Sequence, residues 1–432
     1  MNRPVVSFSN GDDAARPDAL HRDASRVVEH SANDGERPAS LEALQWQRFD
    51  VAFDYPVAFT RELLATDNPL LVDVIARREP HKRHRCLVYV DAGVALTWPD
   101  LNARLVAYFA AHAERLQLLG SPVVLPGGEV IKRDLNVVQR VLDDVQRHGV
   151  DRHAYVIVIG GGAVLDAVGL AAGIAHRGVR LVRLPTTVLS QNDSGVGVKN
   201  AVNFRGSKNF IGTFAPPWAV LNDFDFLGTL SRRDRLAGIS EAIKVALIRD
   251  AAFFEWLETH ADRLAIFDAE AEETMIRRGA ALHMHQIGRG GDPFELGSAR
   301  PLDYGHWSAH KLESLTHNGV VHGDAVAIGM ALDARYAVLA GLLPAGIECR
   351  IVWLLKRLGL PLFHPQLLEL DDEGRPALLN GLREFREHLG GELSVTMLTG
   401  VGHGVEIHHI DEALMIDAIE WLQQEARVHA TR

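Results

Sequence analysis

The sequence predicts an α/β domain built on a parallel sheet, followed by an all-α domain. Three observations carry that expectation. Between about residues 45 and 225, short β-rich runs alternate with helical stretches, as βαβ units around a parallel sheet require. From about residue 230 onward, β-branched runs become sparse and long helical stretches take over. The 432 residues are 47% hydrophobic and 23% charged, enough apolar material for two cores. The expected organisation is a disordered tail over residues 1–40, an α/β domain over 41–228 and a helical domain over 229–432.

The elements follow in order. Asn10-Gly11-Asp12-Asp13 and the segment Glu29 to Glu36 are polar and lack the continuous apolar core of a signal peptide, so the first 40 residues read as a tail. Cys86 to Asp91 reads as a buried strand, and Leu101 to Leu118 as the amphipathic helix after it. Val123 to Gly128 ends another strand, Asp134 to His148 is helical, and Ala154 to Ile159 is a strand entering glycine. A short strand, Val179 to Pro185, opens into the polar, glycine-rich segment Thr186 to Pro217. Connections of that length are commonly functional or disordered. The apolar residues Phe210-Ile211-Gly212-Thr213-Phe214 need burial and favour function. Ile239 to Asp250, Phe253 to His260, Glu270 to His285 and Asp324 to Ala340 then read as helices.

Composition excludes several classes. With 45 basic and 56 acidic residues the net charge is -11, and no basic stripe offers itself to a nucleic acid or an anionic membrane. No run approaches the ~20 apolar residues of a membrane span. Cys86 and Cys349 are too few for a disulfide framework and have no zinc spacing, which points to a reducing, cytoplasmic compartment.

Chemistry concentrates in three places. Ile159-Gly160-Gly161-Gly162-Ala163-Val164-Leu165-Asp166 puts three glycines between a strand and a helix, where backbone N–H groups and the helix dipole can meet a pyrophosphate. It is not G-x-G-x-x-G, and a glycine turn that merely lets strand and helix pack explains it equally well. Asp91 ends a strand and suits a ribose diol, although a cap or turn is the commoner use of such a residue. The segment from Pro185 through Lys199 to Lys208-Asn209 gathers hydroxyls, a carboxylate, two lysines and glycines, a mixture suited to a phosphorylated polyol. Histidines cluster at Gly305-His306-Trp307-Ser308-Ala309-His310 and Val321-His322-Gly323-Asp324. With Glu241 they offer zinc an oxygen and nitrogen set with open positions, yet 21 histidines in the chain make chance clusters common.

These motifs together resemble the sugar-phosphate cyclases, the superfamily of dehydroquinate synthase. The likeness runs from about Phe49 to Leu398. It is densest at Gly160 to Asp166, Pro185-Thr186-Thr187 through Asp193 and Lys199, Lys208-Asn209, Gly238-Ile239-Ser240-Glu241-Ala242-Ile243-Lys244, and Gly305-His306 through His322-Gly323. The resemblance implies a Rossmann-like NAD-binding domain, a helical metal-binding domain and a homodimer. Asp91, Glu129, Lys132, Gly161, Gly162, Asp166, Thr186 and Thr187 are then expected to line the NAD site, and Glu241, His306 and His322 to hold Zn2+ or Co2+. Asp193, Lys199, Asn209, Lys244 and His310 would surround the sugar phosphate, with Lys208 beside them. Arg177 matches an arginine that reaches the neighbouring subunit's phosphate. The implied reaction is transient oxidation of a ring hydroxyl by NAD, loss of phosphate, re-reduction and intramolecular aldol closure.

Departures from dehydroquinate synthase bear on the substrate. His285 stands where that pattern has a lysine before Asp-Glu-x-Glu-x-Gly, and Ala299, with Arg300 next to it, where it has the arginine of Gly-Leu-Arg. Leu302-Asp303-Tyr304-Gly305-His306 replaces Leu-Asn-x-Gly-His. A carboxylate for an amide and a displaced arginine both disfavour a substrate carboxylate, whereas Asp303 can accept from a hydroxymethyl group. A heptulose 7-phosphate closing to a valiolone-type cyclitol is therefore the expected reaction, with 3-dehydroquinate synthase as the alternative. Arg386 sits near where the family has a phosphate-binding lysine. A polyol dehydrogenase of the glycerol dehydrogenase type shares the plan without the lysine-bearing loop Asp193 to Asn209, and a catalytically dead relative would not need Glu241, His306 and His322 intact.

Overall fold

The first domain begins with β1 (Val57–Thr60), α1 (Leu70–Ala76), β2 (His84–Asp91), α2 (Ala92–Thr97), α3 (Leu101–Ala111), β3 (Leu116–Leu118) and β4 (Val123–Leu125). It continues through α4 (Asn136–Arg147), β5 (Tyr155–Gly160), α5 (Gly162–Ile174), β6 (Arg180–Pro185), β7 (Lys199–Phe204), β8 (Ser207–Phe214) and β9 (Ala219–Asp223). The helical part comprises α6 (Arg232–Arg249), α7 (Ala251–Thr259), α8 (Ala261–Ala265), α9 (Ala269–Arg289), α10 (His306–Leu315), α11 (His322–Leu339), α12 (Ile347–Leu358) and α13 (Asn380–His388). A ribbon of β10 (Val395–Gly400) and β11 (His403–Ile407) precedes α14 (Glu412–Ala430). The computed structural model describes residues 47, 49–205, 207–295, 302–317, 319–388 and 393–430. The expected tail over residues 1–40 and Arg300 lie outside the described residues.

The main sheet runs β1-β9-β6-β5-β2-β3, with β4 also on β2, and every pairing in it is parallel. Strands buried on both faces read as continuous apolar runs, and β2 and β5 do so. Leu87, Tyr89, Val156 and Val158 enter one core, while Cys86, Val88, Tyr155 and Ile157 enter the core on the other face. A third core lies among the helices and the terminal ribbon.

Two expected elements differ. The helix expected over Leu101 to Leu118 stops at Ala111, and Leu116–Leu118 pairs with His84–Cys86 as a strand. Leu116 is fully buried there, so the sheet captures residues that a helical pattern also accommodates. The segment Thr186 to Pro217 contains a tight turn of π-helix over Ser190–Ser194 and the antiparallel hairpin β7–β8. The hairpin packs on α5 so closely that a Cβ at Gly169 would lie 1.9 Å from Asn200 Oδ1.

Candidate active site

One cavity of about 1600 Å³ is lined by the carboxyl ends of the sheet strands and by the N-termini of α10 and α11. Clefts outside the carboxyl ends of parallel strands are the usual ligand sites of such folds. At the strand end lie Asp91, Glu129, Lys132, Gly161, Gly162, Asp166, Thr186 and Thr187. Asp91 also caps α2 through Gly93 N–H at 2.7 Å, so the cap role and the cavity role coincide. The backbone at Gly127 passes so near that a Cβ would meet Asp91 Oδ1 at 2.2 Å, and one at Gly162 would meet Ser194 Oγ at 2.6 Å. Bare backbone at the start of α5 is what a pyrophosphate needs to approach. Buried Lys132 donates to Asp166 at 2.5 Å and to Asn209 at 2.9 Å, tying the hairpin to α5.

At the other end, α6 presents Glu241 and Lys244 one turn apart, both buried. His306 and His322 are the first residues of α10 and α11. Gly305 has φ 76°, the left-handed turn that starts α10. A Cβ at Gly323 would lie 2.2 Å from the Cα of Ala237, so only glycine lets α11 start against α6 one turn from Glu241. Glu241 Oε1 is 3.4 Å from His322 Nε2 and 3.7 Å from His306 Nε2.

These three residues fit a divalent metal. Both buried oxygens of Glu241 lack a well-formed hydrogen bond, although the Lys244 ammonium lies against Oε2. The second ring nitrogen of each histidine is engaged elsewhere: His306 Nδ1 with Tyr304 carbonyl at 3.1 Å, and His322 Nδ1 with Glu313 at 3.4 Å. Both Nε2 atoms are thereby turned to Glu241, the arrangement that metal-ligating histidines adopt. A carboxylate and two imidazoles with open positions suit zinc. His310, Glu313 and His322 form a second close group, in which Lys208 holds Glu313 at 2.8 Å.

Charge in the cavity is strongly ordered. Burial opposes ionisation of Glu241, but Lys244 and the two histidines hold its carboxyl down at about 2. Against the same burial, Lys244, His283 and His306 hold Asp193 well below the usual carboxylate range. Asp303 is also lowered, by Lys199, His306, Lys244 and His310 acting against burial. Burial and the neighbouring imidazoles His306 and His322 lower His310, which leaves it neutral, though its ring is open to the cavity.

The loop that carries Asp193 is anchored by buried polar groups. Asn192 Nδ2 donates to Gly238 carbonyl at 2.8 Å, and Gln191 Nε2 donates to the carbonyls of Pro185 and Asp223. Lys199 follows, paired with Glu295 at 2.5 Å.

Two residues expected in this cavity fall elsewhere, and Arg177, expected at a neighbouring subunit's site, is outside it as well. His285 is exposed and does not line the cavity; His283, two positions earlier, lies there with Nδ1 2.7 Å from Asp193 Oδ1. The helical period accounts for this, since His283, Gln286 and Ile287 of α9, with Gly290 just past its end, share the cavity side. Arg386 on α13 is exposed and outside the lining. Arg177 is exposed on a turn where His176 and Arg177 both have positive φ, and it does not line this cavity. Two contributors were not singled out from the sequence. Glu313 lies one turn beyond His310, and Arg183 is the one basic residue fully buried within the strand leading to Thr186.

Residues 122–237 match the family model of the 3-dehydroquinate synthase N-terminal region, and residues 238–373 that of the C-terminal region. A 2-epi-5-epi-valiolone synthase of Streptomyces glaucescens is 34% identical over 380 residues, covering 86% of this chain and 92% of the relative. The chain belongs to the 3-dehydroquinate synthase family. Within that family, a 3-dehydroquinate synthase of Pelobacter propionicus is 37% identical over 294 residues, 68% of this chain and 79% of that protein. Among solved structures, ValA, a 2-epi-5-epi-valiolone synthase from Streptomyces hygroscopicus subsp. jinggangensis 5008 with NAD+ and Zn2+ bound, superposes with a TM-score of 0.76. It is 30% identical, and the match covers 88% of this chain and all of that one, 100%. The helical domain of this family fold here also includes the β10–β11 ribbon.

Proposed function

We propose that the protein is an NAD- and zinc-dependent sugar-phosphate cyclase that releases phosphate from a heptulose 7-phosphate and closes a carbocycle. Cobalt is an alternative ion for the same ligands. The supporting observation is the meeting, in one cavity, of the Glu241–His306–His322 cluster, the lysine-bearing hairpin and an ionised Asp303. When bound, NAD supplies a reversible hydride acceptor and the divalent ion supplies Lewis acidity.

The chain's own residues do the rest. Asp91, Gly161, Gly162, Thr186 and Thr187 receive the dinucleotide, with Glu129, Lys132 and Asp166 at its edge. Lys199, Lys208 and Asn209 hold the phosphate of the substrate; the two lysines exchange Glu295 and Glu313 for it. Lys244 keeps Asp193 and Glu241 ionised, and Asp193 with His283 orients the sugar hydroxyls. Neutral His310 offers a proton acceptor on the open side of the cluster. Asp303, whose carboxylate feels Lys199, His306 and Lys244, accepts from a substrate hydroxyl. Two carboxylates 4 Å apart repel by about 4 kcal/mol at an effective dielectric constant of about 20, so an ionised Asp303 disfavours a substrate carboxylate there.

The likeness to the Pelobacter enzyme supports a second reading, action on the carboxylate-bearing heptulosonate 7-phosphate as a 3-dehydroquinate synthase. Incubation of the zinc-loaded protein and NAD with sedoheptulose 7-phosphate, and separately with the heptulosonate, separates the two. Phosphate release without net NADH, and a cyclitol identified by NMR, is expected with the first substrate; turnover of the heptulosonate alone rejects it.

We further place Arg177 in the phosphate site of a neighbouring subunit in a homodimer, since it is exposed and outside its own cavity lining. Activity recovered on mixing Arg177→Ala with Lys244→Ala tests this. We take residues 228 and 229 as the boundary between the two domains, in the connection from β9 to α6. Cys86 and Cys349 are unpaired and, among the described residues, no helix is long and apolar enough to cross a membrane. A cytoplasmic location agrees with both.

A further inference from the structure

Asp333 lies in the middle of α11, completely buried between Leu332 and Ala334 in a helix whose neighbours there are apolar. A carboxylate in such surroundings is costly unless its oxygens are satisfied, and no lysine or arginine among the described residues pairs with it. Its two oxygens have one donor each: Oδ2 accepts from Gly305 N–H at 3.0 Å, and Oδ1 from Trp307 Nε1–H at 2.9 Å. Those donors belong to the residues immediately before and after His306.

The same turn is fastened to α11 at further points. Tyr304 hydroxyl donates to Met330 carbonyl at 2.9 Å, and a Cβ at Gly329 would lie 2.1 Å from Gly305 carbonyl oxygen. Tyr304 carbonyl in turn receives His306 Nδ1 at 3.1 Å. The ring of His306 therefore inherits its orientation from a turn that α11 clamps, and Asp333 binds both flanks of the ligand residue.

We propose that Asp333 is a positioning residue for the metal site, fixing the chain on both sides of His306 so that Nε2 faces Glu241. This inference rests on the zinc reading above. Its test is zinc affinity, measured by competition with a chelator on the purified protein, beside the absorption spectrum of the cobalt-substituted form. Asp333→Asn keeps the shape but turns an amide N–H toward one of the two donors; Trp307→Phe deletes one donor and leaves Asp333 intact.

The loss of an outer partner of a metal ligand typically weakens metal binding about 10–100-fold, and that range is expected for D333N, with a smaller loss for W307F. NAD affinity should stay at its wild-type value in both, and the cobalt band should shift. Wild-type zinc affinity and an unchanged cobalt spectrum in folded D333N overturn the proposal. Should D333N fail to fold, wild-type zinc affinity in W307F overturns it instead. Wild-type protein that takes up no zinc sinks the metal reading itself, which is a distinguishable result.

Discussion

Arg183 offers the sharpest test of how the sheet positions the substrate loop. It is wholly buried on β6, and burial lowers the pKa of its guanidinium. That cost is met by four hydrogen bonds: to the carbonyls of Gly195 (3.0 Å), Gly197 (2.8 Å) and Lys199 (3.1 Å), and to Asn200 Oδ1 (2.6 Å). All four acceptors lie between Asp193 and the first two residues of β7, so one side chain holds the loop on the sheet.

Arg183→Met keeps most of the apolar stem and removes every donor. Each buried acceptor left without a partner costs about 1–3 kcal/mol, partly recovered because the desolvated charge also disappears. A net loss of about 3–5 kcal/mol follows, a large share of the 5–15 kcal/mol that typically separates folded from unfolded protein. The assay is urea unfolding followed by tryptophan fluorescence, beside KM for the sugar phosphate and Kd for NAD. The urea midpoint should fall, KM should rise about 10-fold or more, and Kd for NAD should change far less, because the released segment carries Lys199 rather than the glycine turn. Arg183→Lys, which can satisfy some of the acceptors, should fall between. Wild-type midpoint and KM in R183M would refute the reasoning.

Other expectations are as direct. Glu241→Gln should empty the metal site and abolish turnover, measured by metal analysis and phosphate release; a full metal complement at normal rate contradicts the ligand assignment. Asp303→Asn should move the ratio of kcat/KM toward the carboxylate-bearing substrate, by up to about a thousandfold if the full 4 kcal/mol of repulsion is relieved. His283→Ala should lower kcat at least about 10-fold while His285→Ala stays near wild type, and the reverse order would reinstate His285. The Glu79 carboxyl is held down at about 2 by hydrogen bonds from Arg180 and Lys82. Its folded value is below its ordinary 4.5, so its contribution is present above that value and is lost as pH falls toward 2. Glu79→Gln should therefore lower the urea midpoint at pH 7, with the gap to wild type closing as pH falls from about 4.5 toward 2.

Much of this protein was legible without coordinates because the signals are local. Strands buried on both faces are predominantly apolar, so β2, β5 and, Arg183 apart, β6 announce themselves as short runs, and glycine must follow β5 where backbone has to stay bare. The motif resemblance located Glu241, His306 and His322 together, and the structure brings their ligand atoms within 4.8 Å of one another.

Tertiary structure decided what depends on partners distant in the chain. Leu116–Leu118 is a strand only because β2 offers an edge, and β7 forms because α5 presents Gly169 to it. His283 rather than His285 meets Asp193 because α9 turns that face to the cavity. The roles of Arg183, Glu313 and Asp333 arise in the same way: a buried charge has no meaning in a sequence until the groups that satisfy it are known. Local pattern reports what a residue prefers to be surrounded by; only packing supplies the surroundings.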